Sequence, residues 1–151
     1  MHEFSYNGEW FGGYDGHGVI SSGNLATIIS RPQVMNGPGK GTNPDELLIS
    51  AAGSCFLMSL TYILQKERID FVKVQISSVG RFEPIETGVR FRELEHVAQI
   101  VLAKELDNLD EVIADIIEKA DERCMVSNAL RATVKISVFS RVRLQGPQSA
   151  T

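Results

Sequence analysis

The longest apolar stretch of the chain, residues 42–68, has the pattern of one long helix. Asn43 is a suitable N-cap, Pro44 suits the first helical position, and Glu46 stands at the spacing of a capping box. Apolar residues then fall on nearly every side of the helix until charge returns in its last turn. We therefore expect a helix that begins near residue 43 and is enclosed by other structure on most sides.

Small side chains at residues 51–54 precede Cys55 in the middle of this helix. Gly53 costs about 1 kcal/mol of helix propensity relative to alanine, so we interpret the patch as a point of close approach for another backbone or a ligand. Serines and a glycine interrupt the apolar run, and no other segment reaches the roughly 20 apolar residues of a membrane span. We therefore expect no contact with a membrane.

The rest of the pattern predicts strands and one further helix. Glycine-punctuated residues 4–32 favour two or three antiparallel strands, and residues 33–41 favour a loop. Alternating apolar positions predict a hairpin of two strands over residues 71–82 and 89–102. A last strand is predicted over residues 133–138.

An amphipathic helix is predicted over residues 108–120, where the apolar positions share one stripe and the charged positions face away. Asn108 and Glu111 have capping-box spacing at its start. Cys124 follows directly, and a polar tail from residue 145 is expected to fray. The order of elements predicts a single domain of the α+β class, with antiparallel sheets packed around the long helix.

Composition and charge exclude several classes of partner. Hydrophobic residues make up 43% of the chain and charged residues 23%, which is ordinary for a soluble globular protein. The net charge of −4 and the scattered basic residues argue against nucleic acid as a partner. The first residues lack the basic and apolar regions of a secretion signal, so the reducing cytoplasm is the expected compartment.

The two cysteines, Cys55 and Cys124, are the first candidates for chemistry. Free cysteine is among the residue types most often buried, so a core role for each is the simplest alternative. The three histidines lie far apart in sequence, and no pair of ligands has the spacing of a zinc site. We therefore expect no metal and no cofactor.

Two motifs surround these cysteines: TNPDEL at residues 42–47 leads through small residues to Cys55 and Phe56, and CMVSNAL begins at Cys124. Together they closely resemble the OsmC/Ohr family, the osmotically inducible and organic hydroperoxide resistance proteins. The resemblance covers most of the chain, from the glycine-rich strands to the last strand. It implies an OsmC-like fold in an intertwined homodimer, with each active site between the subunits.

By this resemblance, Cys55 corresponds to the peroxidatic cysteine of the family and Cys124 to the resolving cysteine. The implied activity is a thiol-dependent peroxidase, in which Cys55 attacks an organic hydroperoxide, releases an alcohol and becomes a sulfenic acid. Cys124 then forms an intramolecular disulfide, which an external dithiol, a small molecule or a lipoyl-type protein, reduces. The apolar neighbours of Cys55 favour bulky organic hydroperoxides over hydrogen peroxide.

Two charged residues complete the implied site. The activating arginine of the family lies upstream of the long helix, and Arg31 is the only arginine there. Asp45 stands where the family usually has a glutamate that orients this arginine, and neighbouring Glu46 is the alternative. Met125 stands where the family usually has a proline after Cys124, and this difference affects how rigidly Cys124 is held. The structural alternative for Arg31 is a charge on the surface. For Asp45 it is a carboxylate that stabilises the N-terminal end of the helix through the helix dipole.

The helix geometry points to a second chain. Asp45 and Cys55 are ten positions apart, which is about 15 Å along a straight helix and too far for direct contact. Asp45 is therefore expected to serve the Cys55 of another copy, in a two-fold dimer whose helices cross at residues 51–54.

Two other functions stay open at this point. One is a non-catalytic redox sensor or a small apolar-ligand binding protein on the same fold. The other is a thiol-disulfide oxidoreductase that acts on proteins, although such enzymes usually carry a Cys-x-x-Cys pair and here 69 positions separate Cys55 from Cys124.

Overall fold

A computed structural model describes residues 1–146 and has an α+β architecture, as predicted. Its elements are β1 (Asn7–Phe11), β2 (His17–Ser22), β3 (Leu25–Ile29), a 3₁₀ helix (Gln33–Met35), α1 (Pro44–Lys66), β4 (Phe71–Ile85), β5 (Gly88–Leu102), α2 (Leu109–Arg123), α3 (Met125–Leu130) and β6 (Lys135–Leu144). The predicted frayed tail lies outside the described residues beyond position 146.

The chain divides into two compact units, one spanning Met1–Leu48 and the other beginning at Ile49. The single-domain interpretation of the sequence therefore stays a prediction. The first unit contains the antiparallel sheet β1-β2-β3, in which Asn7 pairs with Ser21. Gly23 has a φ of 56° in the turn between β2 and β3, a left-handed conformation that glycine adopts at little cost.

The second unit contains the sheet β4-β5-β6. The predicted hairpin is confirmed as β4 and β5, which pair antiparallel and turn at Glu86 and Thr87. Strand β6 is longer than predicted and runs parallel to β5, with Glu93 opposite Lys135 and Leu102 opposite Leu144. Parallel neighbours require a crossover connection, which α2 and α3 supply.

Helix α1 contributes one face to the core of the second unit. The buried residues of this core come from α1, β5, α2 and the residue after α2, and they are Phe56, Leu60, Ile63, Leu64, Ala98, Ile100, Leu102, Ile113, Ile116, Ala120 and Cys124. On another face of α1, Met58 is 72% exposed and Tyr62 is 44% exposed. Within one chain, α1 is therefore not enclosed on most sides, contrary to the prediction.

Helix α1 is long and apolar enough, by length and composition, to cross a membrane. However, Phe56, Leu60 and Leu64 are fully buried in the core cluster of the second unit. This is the position of a core helix in a soluble α+β fold.

The two predicted capping boxes have different outcomes. At the start of α1, Oδ1 of Asn43 accepts a hydrogen bond from the backbone N–H of Glu46 at 3.0 Å, which confirms the N-cap, whereas the Glu46 carboxylate accepts from the Thr42 hydroxyl at 2.6 Å. At the start of α2, Asn108 has a left-handed backbone (φ 52°, ψ 43°) and makes no side-chain cap bond. The second capping box is therefore wrong, because a capping side chain reaches the first turn from an extended backbone.

Candidate functional site

Cys124 occupies the single position between α2 and α3. Its backbone (φ −68°, ψ 106°) leaves the helical region, and its N–H donates to the carbonyl of Ala120 at 3.1 Å. Its Sγ accepts a hydrogen bond from the backbone N–H of Ser127 at 3.5 Å, so the thiol caps α3. Helix α2 runs three residues beyond its predicted end, and this places Cys124 at the junction.

The environment of Cys124 favours its protonated form. The residue has no exposed surface, and burial raises the pKa of the Cys124 thiol above its ordinary value of 9.0. The hydrogen bonds from Ser127 oppose this shift, whereas the neighbouring Cys55 adds to it. Cys124 is therefore a thiol rather than a thiolate at neutral pH.

Cys55 lies on α1 and is half-buried against the core cluster that contains Cys124. Its thiol lies close enough to the Cys124 thiol to contribute to the raised pKa of Cys124. Both cysteines are free. Two cysteines that are 69 positions apart in the sequence are thus brought together at one core cluster, one partly accessible and the other fully buried.

The accessible cysteine opens onto a pocket of about 480 Å³. Most of the side chains around it are apolar, and the lining residues are Cys55, Met58, Ser59, Tyr62, Arg123 and Met125. The charged member is Arg123, whose guanidinium carbon lies 3.8 Å from the centroid of the Tyr62 ring. Sequence reasoning missed Arg123, although its position directly before Cys124 was an available signal.

Arg31 belongs to the first unit and has a well-defined setting there. It forms an ion pair with Asp15, and its guanidinium carbon lies 3.8 Å from the centroid of the Tyr14 ring. Its Nη1 also donates to the carbonyl of Met35 at 3.0 Å. Asp15 was missed by sequence reasoning, because an acidic residue in a glycine-rich turn carries no local signal of a functional partner.

Asp45 lies in the first turn of α1, and no ion pair of Asp45 is found within residues 1–146. A carboxylate at this end of a helix is favoured by the helix dipole. The alternative residue, Glu46, accepts a hydrogen bond from the Thr42 hydroxyl at 2.6 Å. Within the unit Met1–Leu48, the carboxylate paired with Arg31 is that of Asp15, and the role of Asp45 stays a prediction.

A buried histidine lies in the second unit beside α1. His96 has no exposed surface, stacks on Phe56 with 5.0 Å between ring centroids, and has its Nδ1 2.7 Å from Oγ of Ser78. Burial lowers the pKa of His96 below its ordinary value of 6.5, and the charge of Asp121 opposes this shift. The imidazole is therefore neutral at pH 7. In the described part of the chain, no group of three or more His, Cys, Asp or Glu residues is arranged to hold a metal ion.

Comparison with known proteins gives consistent matches. A family model described as OsmC-like protein matches residues 37–139. The uncharacterized protein YmaD of Bacillus subtilis (strain 168) is 32% identical over 146 residues, which is 96% of this chain and 97% of that protein. An organic hydroperoxide resistance protein of Xanthomonas axonopodis pv. citri is 25% identical over 130 residues, covering 84% of this chain and 87% of the relative.

A solved structure is similar over nearly its whole length. It is that of an organic hydroperoxide resistance protein OsmC from Legionella pneumophila, with a TM-score of 0.70 and 26% identity. The match covers 92% of this chain and 99% of the other. The family-model match contains Asp45, Cys55 and Cys124, whereas Arg31 lies before its first residue.

Proposed function

Because the chain belongs to the OsmC-like protein family, we propose that it is a thiol-dependent peroxidase that reduces organic hydroperoxides to alcohols. The observation that carries the proposal is that Cys55, half-buried at a pocket, packs against the core cluster that contains the fully buried Cys124. Two relatives named as organic hydroperoxide resistance proteins support the substrate class.

Cys55 is the nucleophile, because it is the cysteine that lines the pocket. Its thiolate attacks an oxygen of the hydroperoxide, the O–O bond breaks, and the alkoxide leaves and takes up a proton to become the alcohol. The Cys55 sulfur is oxidised to a sulfenic acid. The apolar surfaces of Met58, Tyr62 and Met125 suit the organic part of the substrate.

Cys124 resolves the sulfenic acid. Its sulfur attacks that of Cys55, an S–S bond forms, and the hydroxyl group leaves as water together with the proton of the Cys124 thiol. Since burial raises the pKa of Cys124, the residue stays a thiol until the sulfenic acid is formed next to it. An external dithiol of the cytoplasm, either a small molecule or a lipoyl-type protein, then returns both cysteines to thiols.

We assign Arg31 the role of stabilising the Cys55 thiolate and Asp45 the role of orienting Arg31, across a homodimer. A thiolate in a half-buried site requires a compensating positive charge. The exposed residues Ala51, Ser54, Met58 and Tyr62 form one stripe along α1, as expected for a face that a second copy covers. Such a face supports a two-fold interface.

The proposal is tested by intact-mass analysis after addition of one equivalent of cumene hydroperoxide. Wild type is expected to lose two hydrogen atoms as the disulfide forms. Cys124→Ser is expected to keep one added oxygen, and Cys55→Ser to stay unmodified. Consumption of hydroperoxide by Cys55→Ser at the wild-type rate would overturn the assignment of the nucleophile.

Repeated turnover separates an enzyme from a redox sensor. With excess dithiothreitol and excess cumene hydroperoxide, a peroxidase consumes many equivalents of hydroperoxide per chain. A redox sensor is oxidised once and stops, so consumption limited to one equivalent would favour the non-catalytic alternative. Reduction of a protein disulfide without added hydroperoxide would instead identify a thiol-disulfide oxidoreductase.

A further inference from the structure

The short helix α3 is held at its start by a reactive group. The Sγ atom of Cys124 accepts a hydrogen bond from the backbone N–H of Ser127 at 3.5 Å, and this bond is the side-chain cap of the helix. A helix of six residues, such as α3, is marginal without its cap and its packing. The sulfur atom that caps α3 is the same one that the proposed reaction joins to Cys55.

Disulfide formation changes what this sulfur is able to do. The sulfur of Cys124 then exchanges its hydrogen for a covalent bond to the sulfur of Cys55, which belongs to α1. Because disulfide geometry is narrowly defined, α1 rather than α3 then sets the direction of the Cys124 sulfur. The bond that caps α3 competes with the bond to Cys55.

Ser127 makes the loss of this cap costly. The residue is fully buried, and its Oγ has no hydrogen-bond partner within residues 1–146. If its N–H also loses the Cys124 sulfur, Ser127 has two buried polar groups without a partner. Each such group destabilises the ordered turn, because water no longer solvates it there.

We propose that the cysteine pair is a redox switch for α3, in which the disulfide withdraws the cap from Ser127 and the first turn of the helix loosens. Met125 is the first residue of this turn and lines the pocket at Cys55. The pocket wall therefore opens after oxidation, when an external dithiol has to reach the disulfide. This inference rests on the disulfide of the proposed function and adds the regulation of access to the same site.

Met125 makes the first turn depend more strongly on the thiol. Proline suits the first helical position, because its ring fixes a helical φ and its missing N–H is not needed there. The backbone of Cys124 (φ −68°, ψ 106°) is extended, the conformation that a residue before proline favours. Position 125 thus accommodates a proline, and methionine leaves the turn without that restraint.

The rest of α3 is tied to α2 by contacts that involve no sulfur. Arg131 donates to the carboxylate of Asp121 at 2.8 Å, and the side chain of Asn128 donates to the carbonyl of Glu122 at 2.8 Å. We therefore expect the loosening to be confined to the first turn of α3.

Amide hydrogen exchange measured by NMR tests the switch at the N–H of Ser127. Protein kept reduced is compared with protein oxidised by diamide, which takes one hydrogen from each thiol and becomes a hydrazine. We expect exchange at Ser127 to be about fivefold or more faster in the disulfide form, as for the loss of a helix cap, and exchange at the buried Ile116 of α2 to be unchanged. Equal exchange at Ser127 in the two forms, an equal rise at Ile116, or failure of diamide to join the cysteines would overturn the proposal.

Two substitutions of Cys124 test the cap without oxidation. Cys124→Ala removes the acceptor, so exchange at Ser127 is expected to be as fast as in the wild-type disulfide. Cys124→Ser keeps an acceptor that is preferred at this position and is expected to stay near the reduced wild type. Equal exchange in the two variants would show that the side chain at position 124 does not hold the turn.

Met125→Pro and Met125→Ala form a matched pair, because both remove the methionine side chain and only proline restrains the turn. The difference in Ser127 exchange between thiol and disulfide forms is expected to shrink in Met125→Pro and to persist in Met125→Ala. Reduction of the disulfide by dithiothreitol is expected to be about threefold slower in Met125→Pro than in Met125→Ala. Equal reduction rates would contradict the role of α3 in access.

The use of diamide separates this inference from the proposed activity. If no hydroperoxide is consumed but diamide produces the response at Ser127, the peroxidase proposal fails and the switch stands. If hydroperoxides are consumed but Ser127 exchanges equally in both forms, the switch fails alone.

Discussion

Arg31 is held by two neighbours within its own unit, the carboxylate of Asp15 and the ring of Tyr14. Its Nη1 and Nη2 also donate to the carbonyls of Met35 and Asn36, while its buried Nε has no hydrogen-bond partner within residues 1–146. An arginine fixed on several sides is suited to stabilise an anion, because little reorganisation is needed when the charge appears. Under the role proposed for Arg31, Asp15 would position its guanidinium, besides the role proposed for Asp45.

If Arg31 stabilises the Cys55 thiolate as proposed, Asp15→Asn is expected to slow alkylation of Cys55 by iodoacetamide about tenfold at pH 7, because Arg31 is less well fixed. Cys124→Ser is the background for this measurement, so that Cys55 is the only thiol that reacts. Asp115→Asn, which removes an exposed partner of Lys119, is the control and is expected to have no effect. A normal rate in Asp15→Asn together with a slow rate in Asp45→Asn would assign the orientation of Arg31 to Asp45 alone.

His96 is expected to make the stability of the fold depend on pH. Burial lowers the pKa of His96 below 6.5, whereas in the unfolded chain the residue titrates near its ordinary value. Below pH 6.5, and down to the lowered value, the unfolded chain therefore binds a proton that the folded chain does not. The contribution of His96 to the free energy of unfolding therefore falls as the pH falls through this window, and the charge of Asp121 reduces the effect.

Urea unfolding between about pH 7.5 and about pH 5.5 tests this expectation. The midpoint for wild type is expected to fall with decreasing pH, and the slope is expected to be smaller in His96→Gln. His2→Gln, which changes an exposed histidine, is expected to keep the wild-type slope. Equal slopes in wild type and His96→Gln would show that other groups control the acid sensitivity.

At the scale of elements, the sequence pattern predicted correctly those helices and strands whose bounds depend on neighbouring residues. The capped start of α1 and the alternating strands β4 and β5 were predicted close to their observed bounds. Helix α3 was missed because the thiol of Cys124 caps it, and cysteine is not among the preferred N-cap residues. Strand β6 was predicted too short because Arg141 and Arg143 interrupt its apolar pattern.

The same holds for the candidate site: motifs of neighbouring residues were recognised, whereas contacts between residues far apart in sequence were not. Motifs around Cys55 and Cys124 identified both sulfur atoms, because the resemblance rests on residues adjacent to each cysteine. The position of Arg123 depends on the three extra residues of α2 and on a ring of α1 far away in sequence. Asp15 likewise meets Arg31 through the turns of the first sheet. Such pairings follow from packing, which periodicity alone does not specify.

At the scale of the whole molecule, one chain leaves part of its longest apolar helix uncovered. Met58 and Tyr62 are exposed on the same face as Ala51 and Ser54, two small residues that permit close helix packing. A second copy crossing at this face would cover the apolar surface and form two equivalent sites. The mass expected for such a homodimer is twice the 16.6 kDa of one chain.

Mixed dimers test whether each site uses both chains. Arg31→Gln is expected to form the disulfide very slowly, and Cys55→Ser cannot form it because one of the two sulfur atoms is missing. When the two variants are co-expressed in equal amounts, half of the dimers are mixed, and each mixed dimer has one intact site if Arg31 serves the Cys55 of its partner. The rate of disulfide formation should therefore recover to about one quarter of the wild-type rate.

Cys55→Ser co-expressed with Cys124→Ser is the matched control for this recovery. The two cysteines belong to one core cluster of the same chain, so each chain of that mixture lacks half of its own thiol pair and no intramolecular disulfide is expected. Recovery in the first mixture and none in the second would therefore require that Arg31 acts between chains while the thiols act within one. If dimers form but the first mixture stays inactive, Arg31 serves the cysteine of its own chain, and the crossed arrangement is wrong.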